Sequence, residues 1–274
     1  MVFTVLERHQ DEDHHWAVLS CACNPTDASD ALVVLTVTSV RDAYGEAELR
    51  ALAEPDPLVD RAFDLGAVLA AFRQGLPDPA AESTKPRQLR NYRSEAAEVV
   101  ARQALVATFG IAFPASPQLG KTNPNQPVLG FDGWGVSISG DGPSALVLVL
   151  VKSTEDAARP PGEAHTLAQE FRAIPTKREA LCRALSVLAV VLDDTSVRTV
   201  ILGMLESLGQ DVLPPLIVAP VIVRGTLSSH IDDLKPVRAV RSEIAPAIAL
   251  GLTVSIGTSL DAFGEAVMTK ARAA

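Results

Sequence analysis

Cysteine is scarce in this chain. Three residues, Cys21, Cys23 and Cys182, are too few for a disulfide framework. Cys21-x-Cys23 is also one residue short of a thioredoxin-like or zinc-binding spacing, so small buried thiols are the simpler reading. Long apolar runs are missing too. The stretch from Ala184 to Leu192 is interrupted by Ser186 and stopped by Asp193 and Asp194. That falls well short of the ~20 residues needed to cross a bilayer, and no membrane partner is expected. Residues Met1 to Arg8 hold no basic start leading into an apolar stretch, so no secretory signal is expected there and the expected compartment is the cytoplasm. No Gly-x-x-x-x-Gly-Lys-Ser/Thr loop occurs, which argues against P-loop nucleotide hydrolysis. Gly130-Phe-Asp-Gly-Trp-Gly lacks the dinucleotide spacing, and His165 and His230 stand near no recognisable Ser or Cys nucleophile motif.

What remains is a globular composition. The 274 residues are 47% apolar and 21% charged, enough for one large domain or two modest ones. The net charge of −9 argues against loose affinity for nucleic acid if it is spread evenly, and it is not. Residues 1–84 carry 5 basic and 15 acidic side chains. Residues 85–121 carry 6 basic and 2 acidic ones. Lys85, Arg87, Arg90, Arg93 and Lys121 thus form a basic lead-in with one tyrosine, suited to phosphate contacts; a solvated linker is the alternative. An acidic first third beside that stretch would limit loose DNA binding or meet a basic partner.

The order of elements reads as α/β. His15 to Cys23 and Ala31 to Val40 are rich in β-branched residues around the turn-forming Asn24 to Asp27, which predicts two strands. Glu46 to Ala53 and Leu58 to Phe72 have helical spacing. The stretch from Gly75 to Pro86 holds three prolines and predicts a linker, hence a small acidic α+β lobe over residues 1–80 and a second domain over 88–274. In the second part Arg93 to Thr108 predicts a helix. Gly130 to Ser139 and Ala145 to Ser153 predict two strands, the latter apolar throughout until Lys152, as expected of a strand buried on both faces. Helices are predicted over Glu163–Ala173, Lys177–Leu192, Val197–Leu208 and Ser259–Ala273, and strands over Leu216–Arg224 and Ile248–Ile256.

Three features within this second part can carry chemistry. Glu95 and Glu98 lie three apart on one helix, Asp132 opens a strand, and Lys152 ends the next. Carboxylate oxygens bind Mg²⁺ or Mn²⁺, and an ammonium beside them supports charge on a phosphate. Each residue has a plainer reading. Glu98 and Arg102 at i,i+4 form an exposed helix pair, Asp132 a turn, and Lys152 the point where a strand meets water. The cluster Asp11 to His15 is an acidic, His-containing candidate for a metal, or a solvated turn.

This arrangement resembles the PD-(D/E)xK nuclease superfamily. Arg93-Ser-Glu-Ala-Ala-Glu-Val-Val, then Lys121-Thr-Asn-Pro-Asn-Gln-Pro-Val-Leu-Gly-Phe-Asp-Gly, then a strand ending in lysine, resembles more narrowly the HamA family of the Hachiman antiphage system, over roughly residues 88–225. The resemblance implies a restriction-endonuclease-like core with a mixed sheet and metal-dependent DNA cleavage. It also implies a HamB-like helicase partner that restrains the nuclease. Asp132, Lys152 and Glu98 would be catalytic, with Asp132, Glu98 and Glu95 around Mg²⁺ or Mn²⁺. One position departs from the pattern: the acidic residue expected two before the lysine is Leu150, which cannot ligate a metal. Glu155, Glu163, Gln169 and Glu170 are the candidate replacements. The alternative is a degenerate nuclease-fold subunit that docks or regulates a helicase on DNA.

Overall fold

The computed structural model describes residues 2–53, 63–86, 89–114, 116–120, 123, 131–137, 145–192 and 195–273. In chain order the elements are β1 (Thr4–Asp11), β2 (His14–Ser20), α1 (Ala31–Ala43), α2 (Glu46–Leu52), α3 (Leu65–Gln74), α4 (Asn91–Phe109), β3 (Gly133–Ser137) and β4 (Ala145–Thr154). They continue with α5 (Gly162–Arg172), α6 (Arg178–Val191), α7 (Thr195–Gly209), β5 (Leu216–Arg224), α8 (Lys235–Ala239), β6 (Ile248–Ser255) and α9 (Leu260–Arg272). The chain is an α/β protein.

One six-stranded sheet runs in the order β1-β2-β6-β5-β4-β3. Its centre, β2, β6, β5 and β4, is parallel, and antiparallel hairpins close both edges. The alternation of β4 explains the rest. Val147, Val149 and Val151 enter a core under α1, α4 and α9, while Leu146, Leu148 and Leu150 enter a second core under α5, α6 and α7. A strand covered on both faces needs apolar side chains at every position, which the run from Ala145 to Val151 supplies. Helices on both faces also oblige the parallel strands to share one carboxyl edge. In open sheets of this kind that edge is where ligands meet the protein.

The first 80 residues contribute two strands to this same sheet, because β2 pairs along its length with β6. Their apolar side chains Phe3, Ala17, Leu19, Leu32 and Val33 lie in the same core as Val149 and Leu252. The proline-rich stretch between α3 and α4 is anchored to α4 rather than swinging free. Its Glu82, 1% exposed, accepts from the Tyr92 amide at 3.3 Å and from Lys85 Nζ at 2.8 Å.

Three expectations change. Residues Ala31–Val40 are helical, not a strand. Asp30 caps α1, its Oδ1 accepting from the amides of Leu32 at 3.0 Å and Val33 at 3.1 Å. The buried residues Leu32, Val33, Thr36, Val40 and Ala43 then fall on one helical face. Burial of that face against α9 and the cap together outweigh the mild preference of β-branched side chains for strands. Strand β1, which no periodicity announced, has side chains exposed or only half-buried along its length; its ladder to β2 and the fork of Arg238 onto Asp11 hold it. The helix expected over Leu58–Phe72 starts at Leu65 as far as the described residues reach, and residues 58–62 lie outside them.

Tight packing at the centre has a measurable consequence. A Cβ on Gly251 of β6 would lie 2.4 Å from the fully buried ring of Trp16 on β2. Gly251→Ala is therefore expected to cost about 1–3 kcal/mol in urea unfolding. At Gly203 on α7 nothing lies within 4 Å of such an atom. Gly203→Ala is expected to gain roughly 0.5–1 kcal/mol. Equal effects at the two positions would contradict this account of the core.

Candidate active site at the carboxyl edge of the sheet

Asp132 is the residue just before β3, and its position follows from the ladder to β4. Its amide donates to the Val149 carbonyl at 3.1 Å, and its Oδ2 accepts from the Val151 amide at 2.6 Å. The side chain thus takes over where β3 offers no further backbone partner, which fixes a carboxylate at the carboxyl end of β4. Lys152, the next residue of β4, reaches α5 and donates from Nζ to Glu170 Oε1 at 2.8 Å.

Helix α4 supplies the other side. Arg102, 7% exposed, donates from NH1 to the Asp132 carbonyl at 3.0 Å. Gly133 follows Asp132 because a Cβ there would stand 3.2 Å from Arg102 Cδ. One turn earlier, Glu98 Oε2 accepts from Gln118 Nε2 at 3.2 Å. Gln118 is held in turn by the hydroxyl of Ser116.

The electrostatics tie these groups together. Burial, and next the negative charge of Asp132, push the Glu98 carboxyl well above the usual carboxylate range; Arg102 and Lys152 only partly oppose this. Asp132 is likewise raised, first by burial and also by Glu170, against the Val151 amide, Lys152 and Arg102. Two carboxyls, both raised by burial, with the charge of Asp132 felt at Glu98, form a site that gains by accepting positive charge.

The sequence-derived candidates divide accordingly. Glu98, Asp132 and Lys152 fall within electrostatic reach of one another. Glu95, also on α4, is buried elsewhere, its oxygens accepting from Tyr44 Oη at 2.6 Å and Asn91 Nδ2 at 3.0 Å. Leu150 is 3% exposed and lies in the core under α5, so the acidic position of the motif is filled by core packing. Of the replacements, Glu170 joins through Lys152, Glu163 accepts from Thr154 Oγ1 at 2.9 Å, and Glu155 accepts from the Leu260 amide at 2.7 Å at the start of α9.

Much of the basic lead-in is occupied within the protein. Lys85 pairs with Glu82, and Arg90 forks onto Asp261 at 2.9 and 3.1 Å while also meeting Tyr92 Oη. Arg93 is half-buried, with its Cα against Gly264 of α9. Arg87 and Lys121 lie outside the described residues. In the cluster from Asp11 to His15, Asp11 forks with Arg238, and His14 Nδ1 accepts from the Ala249 amide at 2.9 Å. Burial lowers the pKa of His14, as expected of a neutral structural histidine.

Sequence reasoning missed Arg102 and Gln118. The i,i+4 spacing of Glu98 and Arg102 suggested a solvated pair, and only the fold places that guanidinium under cover against the Asp132 backbone. Gln118 carried no signal, since its neighbours in sequence give no periodicity.

The donor set fits a hard divalent cation narrowly. Among the described residues no group of three or more His, Cys, Asp or Glu side chains is arranged to hold a metal. Mg²⁺ asks for less, because one or two carboxylates plus water and phosphate oxygens complete its shell, and Mn²⁺ accepts the same donors. Asp132 and Glu98 supply two. No protein-family model matches the chain, and no curated protein is similar to it in sequence. The class of protein defined here is thus an α/β protein with a carboxylate–lysine cluster at the carboxyl edge of its sheet. Among the described residues no helix is long and apolar enough to cross a membrane.

Proposed function

We propose that the chain is a metal-dependent, restriction-endonuclease-like DNase subunit of the HamA type, an antiphage effector that acts in the cytoplasm and is restrained by a HamB-like helicase partner. The observation that supports this reading is Asp132 fixed at the carboxyl end of β4 by the Val151 amide at 2.6 Å, next to Lys152 in the same strand and within electrostatic reach of Glu98. Asp132 and Glu98 would hold Mg²⁺ or Mn²⁺, and the ion would supply Lewis acidity toward a phosphate ester and a water of lowered pKa. The Val151 amide orients Asp132 by taking one of its oxygens. Lys152, swung off Glu170, presents its ammonium to the phosphate being cut. Arg102 offsets part of the carboxylates' charge, which keeps both oxygen sets compatible in one place.

The purified chain with Mn²⁺ is expected to nick DNA. Asp132→Ala and Lys152→Ala are each expected to lower the rate by at least about a hundredfold while the melting temperature holds within a few degrees. Undiminished cutting in both variants would overturn the assignment. Co-purification with a protein bearing helicase motifs checks the partner.

Leu150 favours one second reading. With the motif's acidic position given over to the core, a subunit that docks or regulates a helicase without cutting fits as well. It predicts no Mn²⁺ binding in calorimetry and no cleavage by the wild-type chain, with helicase association intact.

A further inference from the structure

Between α1, α4, residues 111–114 and Ser116 lies a pocket of about 530 Å³. It adjoins the carboxylate site through two residues. Arg102 lines it, and so does Ser116, whose hydroxyl holds the Gln118 that holds Glu98. Arg102 is the main observation. The residue is 7% exposed, and among the described residues its one hydrogen bond is from NH1 to the Asp132 carbonyl. None of its nitrogens is, among these residues, a buried donor without a partner, so Nε and NH2 face water that an anionic acceptor in the pocket can displace.

The rest of the pocket says what kind of acceptor. Val99, Ile111 and the half-buried ring of Phe113 give it apolar walls, and Val106, 42% exposed, stands at its mouth. Beyond them Gln103 donates from Nε2 to Ser39 Oγ at 2.8 Å, which leaves its Oε1 as an acceptor beside the Asp42 carboxylate. The ligand that matches has an anionic end, a flat apolar middle and an N–H donor at its far edge. The acidic side chains Asp42 and Glu48 would repel further phosphates there, as a duplex backbone would bring.

We propose that this pocket is a subsite for one unstacked nucleotide of a single DNA strand. Its phosphate meets Arg102 at the carboxylate end. Its base lies between Val106 and Phe113, and one N–H of the base edge donates to Gln103 Oε1. The inference rests on the nuclease reading and adds to it the form of substrate, an unpaired strand. Arg forks onto phosphate and aromatic faces under bases are the usual means of holding single strands.

The test is binding, measured at low salt in EDTA so that no cleavage intervenes. Probes are oligo-deoxythymidine, a duplex of equal length, and thymidine monophosphate. Val106→Trp fills the mouth from an exposed helix position, and Arg102→Met removes the fork. Each is expected to weaken single-strand binding by about tenfold or more, and duplex binding by less than about twofold. Where either variant melts early, a strand carrying iododeoxyuridine replaces it. Photo-crosslinking to the wild-type chain is then expected to map to Phe113 or its neighbours. Unchanged single-strand affinity in a folded Val106→Trp chain overturns the subsite, as does a crosslink that maps only elsewhere. Capture of thymidine monophosphate without any capture of the strand also overturns it. Crosslinking here by a wild-type chain that fails to cut DNA sinks the nuclease reading and leaves this site standing. Cutting that persists with no crosslink here sinks the subsite alone.

Discussion

Asp233→Ala is expected to lower the unfolding free energy by about 3–5 kcal/mol, among the largest losses for one substitution in this chain. Asp233, in the short 3-10 turn Ile231–Leu234, and Arg224, the last residue of β5, are both fully buried. Their closest approach is 3.8 Å, from Arg224 Nε to Asp233 Oδ2, longer than a hydrogen bond. Asp233 Oδ2 instead accepts from the His230 amide at 3.0 Å and from Thr253 Oγ1 at 3.2 Å. Arg224 Nε and NH1 and Asp233 Oδ1 have no partner among the described residues. Such a pair is poorly repaid for its lost hydration, so its value lies in mutual neutralisation. Removing one member strands the other charge in the core. Arg224→Met with Asp233→Asn removes both charges and keeps an oxygen for the His230 amide and the Thr253 hydroxyl, and this double variant is expected to lie within about 1 kcal/mol of wild type or above it. Chemical denaturation of the three proteins measures both effects. A double variant as unstable as Asp233→Ala would show that packing or the turn, not charge, sets the cost.

The second large effect is pH-dependent. Glu46, at the start of α2, receives three arginines: Arg50 at 2.6 Å, Arg73 at 2.8 Å and Arg41 at 3.7 Å. Hydrogen bonds from Arg73, then from Arg50, and the nearby positive charges carry its pKa from 4.5 down to about 2, against the opposing effect of burial. A carboxyl depressed in the folded state contributes stability that is complete above its unfolded pKa and is lost as pH falls through the folded one. The window therefore runs from about pH 4.5 down to about 2. The depression corresponds to a contribution on the order of 3 kcal/mol. Glu46→Gln is expected to lose about that amount at neutral pH and to flatten the acid limb of the stability curve in this window. Glu46→Ala adds mutual repulsion among the arginines. Arg41 also donates to the carbonyls of Lys270, Ala271 and Ala273, so the end of α9 should exchange its amides faster in both variants. An unchanged acid limb in Glu46→Gln would place the titration elsewhere.

Local physics was legible in the residues. The all-apolar run into Lys152 announced a doubly covered strand, and β4 is one. The helix carrying Glu95 and Glu98, the strands before Arg224 and around Leu252, and the closing helix were equally readable from period and composition. The exception, α1, shows where such reading stops. Its β-branched composition pointed to a strand, while its cap and its buried face against α9 made a helix. Propensity acts through one residue at a time, and burial of a whole face outweighs it.

The candidate site divides along the same line. Asp132, Lys152 and the pair Glu95 and Glu98 were identifiable by residue type and spacing, because carboxylates and lysine ending strands near a helix are few. Which glutamate turns toward Asp132 depended on the rotation of α4 against the sheet. Glu95 went to Tyr44 and Asn91, Glu98 to the shared site. Likewise the basic stretch counted as positive in sequence, yet Lys85 and Arg90 meet Glu82 and Asp261, the latter 171 positions away. Arg102 passed from solvated partner to covered donor for the same reason. By itself the sequence determined the alternating α and β order, the doubly buried β4 and the kinds of group able to do chemistry. The tertiary structure alone decided which charges are neutralised by distant partners and which are not, because Coulomb and hydrogen-bond energies depend on separation in space, and chain order does not set that separation.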